Sequence, residues 1–142
     1  MYLWVKKMEF GTKDWLEAFV KTLNENKAYE EAAETWEGDF LFIVWPDKEL
    51  GIEEELVMWM DLWHGKCRGY EMIDNRDAKD TAFIYEGEYA NWKEIIEGRL
   101  DPIKALLTRK MKLTGDRAKV MRATRAAKEL VRTAQMIKTE FL

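Results

Sequence analysis

The segment W-K-E-I-I-E-G-R-L-D-P-I-K-A-L-L-T-R-K-M-K-L-T-G-D, residues 92–116, reads as two short amphipathic helices, a sharp corner between them and a short strand. Trp92, Ile95 and Ile96 recur on one helical face. Gly98 suits the position just past a helix end, where the left-handed conformation carries little penalty without a Cβ. Asp101-Pro102 then opens the next helix: the carboxylate caps free N–H groups, and proline's missing donor is not needed in the first turn. Ile103, Leu106, Leu107 and Met111 form the second apolar face, and Gly115 closes the strand that follows.

Working outward, Trp15, Leu16, Phe19, Val20 and Leu23 predict an amphipathic helix with Thr12 as its cap. Ala28, Tyr29, Ala32, Ala33 and Trp36 repeat the spacing, so a second helix or a continuation is expected up to Gly38-Asp39. Glu30, Glu31, Glu34 and Glu37 fall largely outside that stripe and read as a solvated face. Residues 40–45 and 56–63 are apolar runs of strand length. Gly65-Lys66 fits a type II′ hairpin turn, which sets Trp63 opposite Arg68 and Met60 opposite Glu71. Both sides of that hairpin carry large apolar groups, which predicts cover on both faces of an α+β sheet. Residues 81–86 form a further strand. The spacing over 118–140 predicts one long helix, with apolar positions that include Val120, Ala123, Ala127, Leu130, Val131, Ala134, Ile137 and Phe141, and basic on the opposite side.

The 142 residues contain no linker, repeat or low-complexity stretch, so a single domain over 1–142 is expected. Eight Met and seven Trp allow two readings: an aromatic core, or a cavity partly lined by side chains that adapt to variable apolar guests. The lone cysteine, Cys67, rules out an intrachain disulfide and fits a reducing, cytoplasmic setting. Residues 1–5, Met1–Val5, are too short for a signal-peptide core, and no apolar run reaches the roughly 18–20 residues that span a membrane.

Charge is split along the chain. Residues 1–98 carry 11 Lys/Arg against 23 Asp/Glu, whereas residues 99–142 carry 12 against 4. The basic end has several readings: a solvated helix face, transient contact with an anionic membrane surface, or a homodimer contact. Nucleic acid is disfavoured, because the basic helix lacks aromatic side chains for base stacking before Phe141 and the whole chain is acidic.

Catalytic signatures are missing. There is no G-x-S-x-G elbow, no phosphate loop and no dinucleotide-binding turn. His64 and Cys67 flank a hairpin turn without the further ligands a structural zinc site needs. No enzyme activity, cofactor or metal is therefore expected.

Trp92, Gly98, Leu100, Asp101, Pro102 and the run Met111-Lys112-Leu113-Thr114-Gly115-Asp116 resemble the C-terminal half of the sterol carrier protein type two family of lipid-binding domains. The resemblance is close over residues 80–122 and implies an α+β fold: a mixed or mostly antiparallel curved sheet of about five strands, covered by helices, with an apolar tunnel between the layers. It implies non-enzymatic binding or transfer of lipids such as fatty acids, fatty acyl thioesters or sterol-like molecules. The helix side of such a pocket is expected at Trp92, Ile96, Leu106, Leu107 and Met111. The sheet is expected to contribute Met58, Met60, Phe83 and Tyr85, and the last helix Met121. The long basic C-terminal segment departs from the family pattern and could cap the tunnel, fill it or form a dimer contact. The alternative is a protein-interaction or regulatory module with a filled core. An apolar cavity above about 300 Å³ between helices and sheet would separate the two readings.

Overall fold

The computed structural model describes residues 7–142, so the reading of Met1–Val5 lies outside it. Six α-helices and seven strands follow the order β1 (Met8–Glu9), α1 (Lys13–Glu25), α2 (Lys27–Ala32), β2 (Glu37–Val44), β3 (Leu56–Trp63), β4 (Lys66–Ile73), β5 (Phe83–Gly87), α3 (Tyr89–Ile96), α4 (Pro102–Leu107), β6 (Met111–Thr114), α5 (Arg117–Arg122), α6 (Thr124–Gln135) and β7 (Thr139–Glu140). Five strands make one mixed sheet in the order β4-β3-β2-β5-β6, with β2 and β5 parallel and the other neighbours antiparallel. The fold is α+β, as expected.

Local chemistry sets the helix starts. Thr12 Oγ1 accepts from the Trp15 N–H at 3.3 Å, and Asn26 Oδ1 accepts from the N–H groups of Ala28 and Tyr29. Asp101 Oδ1 accepts from Ile103 and Lys104 N–H at 2.8 and 2.9 Å, with Pro102 in the first turn. Each bond satisfies a donor that has no partner within the helix.

All six helices lie on one face of the sheet. Phe40, Phe42, Met58, Met60, Leu62, Phe83 and Tyr85 point to that face and share one core with helical Leu16, Phe19, Leu23, Trp92, Ile95 and Ala134. The opposite face carries a small cluster of Leu41, Ile43 and Val57, flanked by Trp45, Trp59, Ile73 and Ile84. No helix covers it. The chain between β4 and β5 must cross β3 and β2, and residues 74–82 do so on this far face. Arg76, in a short 3₁₀ turn, donates to Glu55 (3.0 and 2.9 Å) and to Glu86 (2.8 Å), while Lys79 sits 3.9 Å over the Trp59 ring. The expected cover on both faces is thus of two kinds: helices on one, and on the other a strap whose charged side chains shield the sheet together with the tryptophans.

Three expectations are corrected. The helix predicted toward Gly38 ends at Ala32, and Glu37–Asp39 belong to β2. Trp36 leaves the helical path to stack on Phe40 and pack at a tilt against Phe83, with centroids 5.8 and 5.2 Å away. The hairpin turn is His64-Gly65, not Gly65-Lys66. Both residues have positive φ (49° and 79°), the requirement of a type I′ turn. Trp63 therefore pairs with Lys66, and a bulge after Met60 puts Met60 opposite Tyr70. The single helix predicted over 118–140 is broken at Ala123 (φ −92°, ψ 36°) into α5 and α6, and Thr139–Glu140 form a strand. That strand pairs in parallel with Met8–Glu9, a contact across almost the whole chain.

Gly65 meets two constraints: its φ of +79°, and α2 packed so closely that an added Cβ would lie 2.5 Å from the Glu30 carbonyl oxygen. Gly65→Ala should lower unfolding stability by about 1–3 kcal/mol in urea titration. Glu86 is buried, which by itself raises its carboxyl pKa. Hydrogen bonds from Arg76 and Trp45, together with nearby positive charge, outweigh that and hold it below the usual value. A depressed folded-state value contributes stability above the unfolded value, and this is lost as pH falls through the folded one. Thermal melts should therefore show wild type losing stability as pH falls below about 4. Glu86→Gln should melt lower than wild type at neutral pH and lose less on acidification.

Candidate functional site

Between the helical layer and the sheet lies an apolar cavity of about 120 Å³. The sheet supplies Phe40, Phe42, Met58, Met60 and Tyr85 as its floor. Trp15 and Phe19 of α1, with Phe10 before it, close one side. Trp92, Ile95 and Ile96 of α3 and Val120 of α5 add further wall. Ala127, Leu130, Val131 and Ala134 of α6 form the roof opposite the sheet. Pro102 and Ile103 at the start of α4, with Leu130 and Val131, are half-buried and mark the mouth.

Among the described residues no charged side chain lines this space, and the polar atoms of its lining residues have partners in the protein. Trp92 Nε1 donates to the Ile43 carbonyl at 2.9 Å, and Trp15 Nε1 donates to Thr139 Oγ1 at 2.9 Å. The Tyr85 hydroxyl donates to the Pro102 carbonyl at 2.8 Å, which ties the first turn of α4 to the sheet. Burial, and secondarily the Asp101 carboxylate, raise the Tyr85 phenol above its ordinary range, so it stays protonated as that donor. The cavity therefore offers a guest dispersion contacts and exclusion from water, with no polar anchor inside.

Of the ten residues singled out in the sequence, the structure brings Met58, Met60, Tyr85, Trp92 and Ile96 together around the cavity. The other five lie outside its lining. Phe83 is packed between Phe40, on which it stacks, and Trp36. Met111 packs over Gly87, where a Cβ would fall 2.2 Å from its sulfur. Leu106 is buried beneath α4, Met121 is half-buried against the core, and Leu107 is 64% exposed on the outer side of α4. Phe10, Trp15, Phe19, Phe40, Phe42 and Ile95 were not singled out. Helical spacing marked Trp15, Phe19 and Ile95 as inward-facing and an apolar run marked Phe40 and Phe42 as buried, whereas Phe10 carried no periodic signal; neither pattern separates a residue beside a void from one in solid packing.

His64 and Cys67 do not bond to each other. His64 Nε2 lies 2.6 Å from Glu37 Oε2, and the buried Cys67 thiol donates to the Gly69 carbonyl at 3.1 Å. Burial pushes that thiol up to about 11, which opposes nucleophilic use. Among the described residues no group of three His, Cys, Asp or Glu side chains could hold a metal ion, and no helix is long and apolar enough to cross a membrane.

Comparison with known proteins agrees with this architecture. The model of the SCP-2 sterol transfer family matches residues 16–128. A crystal structure of sterol carrier protein 2 is 35% identical and superposes with a TM-score of 0.82, covering 91% of this chain and 99% of that one. The solution structure of a conserved hypothetical protein from Thermus thermophilus is 36% identical, with a TM-score of 0.85, covering 95% of this chain and 94% of that one. The apo form of sterol carrier protein 2 from Yarrowia lipolytica shares the fold at 17% identity, with a TM-score of 0.60 and coverage of 95% and 98%. A search of curated protein sequences finds no match. The chain belongs to the SCP-2 sterol transfer family.

Proposed function

We propose that this protein binds and carries elongated apolar molecules in the cavity between helices and sheet, and performs no chemistry on them. Fatty acids, fatty acyl thioesters and sterol-like lipids are the candidate ligands. The observation that carries the reading is a cavity whose lining is apolar and whose lining N–H and O–H groups are satisfied by the protein. Family membership supports lipid binding in general, as does the match to sterol carrier protein 2.

The volume falls short of the mark that separates this reading from a filled core, so the reading requires the cavity to open. At about 120 Å³ the cavity is below the 300 Å³ expected of a preformed site for a large ligand. An apolar cavity of about 150 Å³ stays dry and takes a benzene-sized guest. A longer chain must therefore displace side chains as it enters. Met58 and Met60 on the floor are unbranched and able to rearrange. Each methylene buried returns about 0.8 kcal/mol toward the cost of that opening.

The mouth also suits an anionic bilayer as donor or acceptor of the ligand. Lys104 and Lys128 are exposed on α4 and α6, the two helices that supply the half-buried mouth residues, and Leu107 projects from α4. Among the described residues neither lysine has a carboxylate within 4.0 Å. Such a face gains from headgroup charge and from insertion of an apolar side chain.

Titration with a fluorescent fatty acid should saturate at one ligand per chain, and Met60→Trp, which fills the floor, should weaken binding at least about tenfold. No saturable binding, together with no co-purified lipid in native mass spectrometry, would overturn this reading in favour of an interaction module with a filled core. Sedimentation with phosphatidylserine vesicles should exceed that with phosphatidylcholine vesicles, and Lys104→Glu with Lys128→Glu should abolish the difference.

A further inference from the structure

A second apolar void, of about 50 Å³, lies beside the main cavity. Phe40, Val120, Ala127 and Leu130 line both spaces, so a wall one side chain thick separates them. Beyond that wall the second void is bounded by Tyr29, Trp36 and Leu62, and by Ala123 and Ala126, whose small side chains leave the space unfilled.

The four wall residues differ in freedom to move. Phe40 is held in a stack, 4.8 Å from Phe42 and 5.0 Å from Phe83 between ring centroids. Val120 is β-branched and helical, so one χ1 rotamer dominates. Ala127 has no rotamer to change. Leu130 is half-buried on α6 and has open space on both sides of its side chain. Ala123, where α5 gives way to α6, lies on the far void's edge, so the helix carrying Leu130 starts at a backbone break.

We propose that Leu130 is a movable partition between the two apolar spaces, and that its displacement sets the length of apolar chain the protein accepts. Resting over the opening, it limits a guest to the main cavity. Swung aside, it joins the spaces into one channel that runs from the mouth at Ile103 toward Tyr29 and Trp36. The inference rests on the lipid-binding reading of the main cavity and makes chain length, not headgroup, the selected property.

The test is competition between octanoate and stearate, read by native mass spectrometry. Leu130→Ala removes the partition and should raise the preference for stearate roughly tenfold, the gain from two or more additional buried methylenes. Leu130→Phe should lower that preference by a similar factor. Ala126→Leu fills the far void without touching the main cavity's lining; it should remove the stearate advantage and leave octanoate binding intact. Ala126→Val serves the same end if the leucine variant fails to fold. Wild-type binding of both acids, with the same preference in every folded variant, would overturn the partition alone. Binding of neither acid to wild type would overturn the lipid-binding reading and the partition with it.

Discussion

The helical layer of this protein depends on one buried indole. Trp92 places its ring edge-on to Phe42 and Tyr85, with centroids 6.0 and 5.6 Å away, and gives its N–H to the Ile43 carbonyl. Those contacts join α3 to two neighbouring strands of the sheet. Once α3 is fixed, Gly98 at φ +82° turns the chain, Asp101 starts α4, and Tyr85 holds the first turn of α4 from below. The mouth of the cavity is built from that corner. A ring without the N–H donor would leave a strand carbonyl short of a partner and weaken the attachment of everything that follows to Thr108.

The cavity exists because the helices facing the sheet come from three separated parts of the chain and present side chains of unequal size. Aromatic rings of α1, α3 and the strands approach from the sides and the floor, whereas α6 contributes Ala127 and Ala134 beside Leu130 and Val131. Rigid rings do not flow into the space small residues leave, so packing stops short of native density at that spot. In a protein without a ligand such a void is a loss of contact energy.

The far face obeys different physics. The crossover of residues 74–82 cannot bury apolar surface with a helix, since it forms only one short 3₁₀ turn. It brings Arg76 between Glu55 and Glu86, and Lys79 over Trp59. Trp45 and Trp59 then cover Leu41, Ile43 and Val57, with their N–H groups on Glu86 and Asp39. The acidic first part of the chain is thus partly consumed in holding that strap, while Lys104 and Lys128 of the basic last part stay exposed on α4 and α6.

The class of the fold was legible in the sequence because its evidence is local. Caps at Thr12 and Asp101, turn glycines at 98 and 115, and the 3.6- and 2-residue periods all act within a few residues. The helix break at Ala123 carried no such mark, for neither Gly nor Pro stands there. The hairpin register depended on His64 taking positive φ, which becomes rational once Glu37 is seen beside its ring and Trp36's carbonyl on its N–H. Half of the expected pocket residues surround the cavity and half do not. Inward-facing apolar side chains look alike in sequence, and only the facing layer decides which of them meet a neighbour and which meet a gap. The sequence by itself determined the fold class, most of the elements and their apolar faces, and the family. The tertiary structure alone decided where those faces fail to fill the space between them, because a void is a property of two surfaces at once.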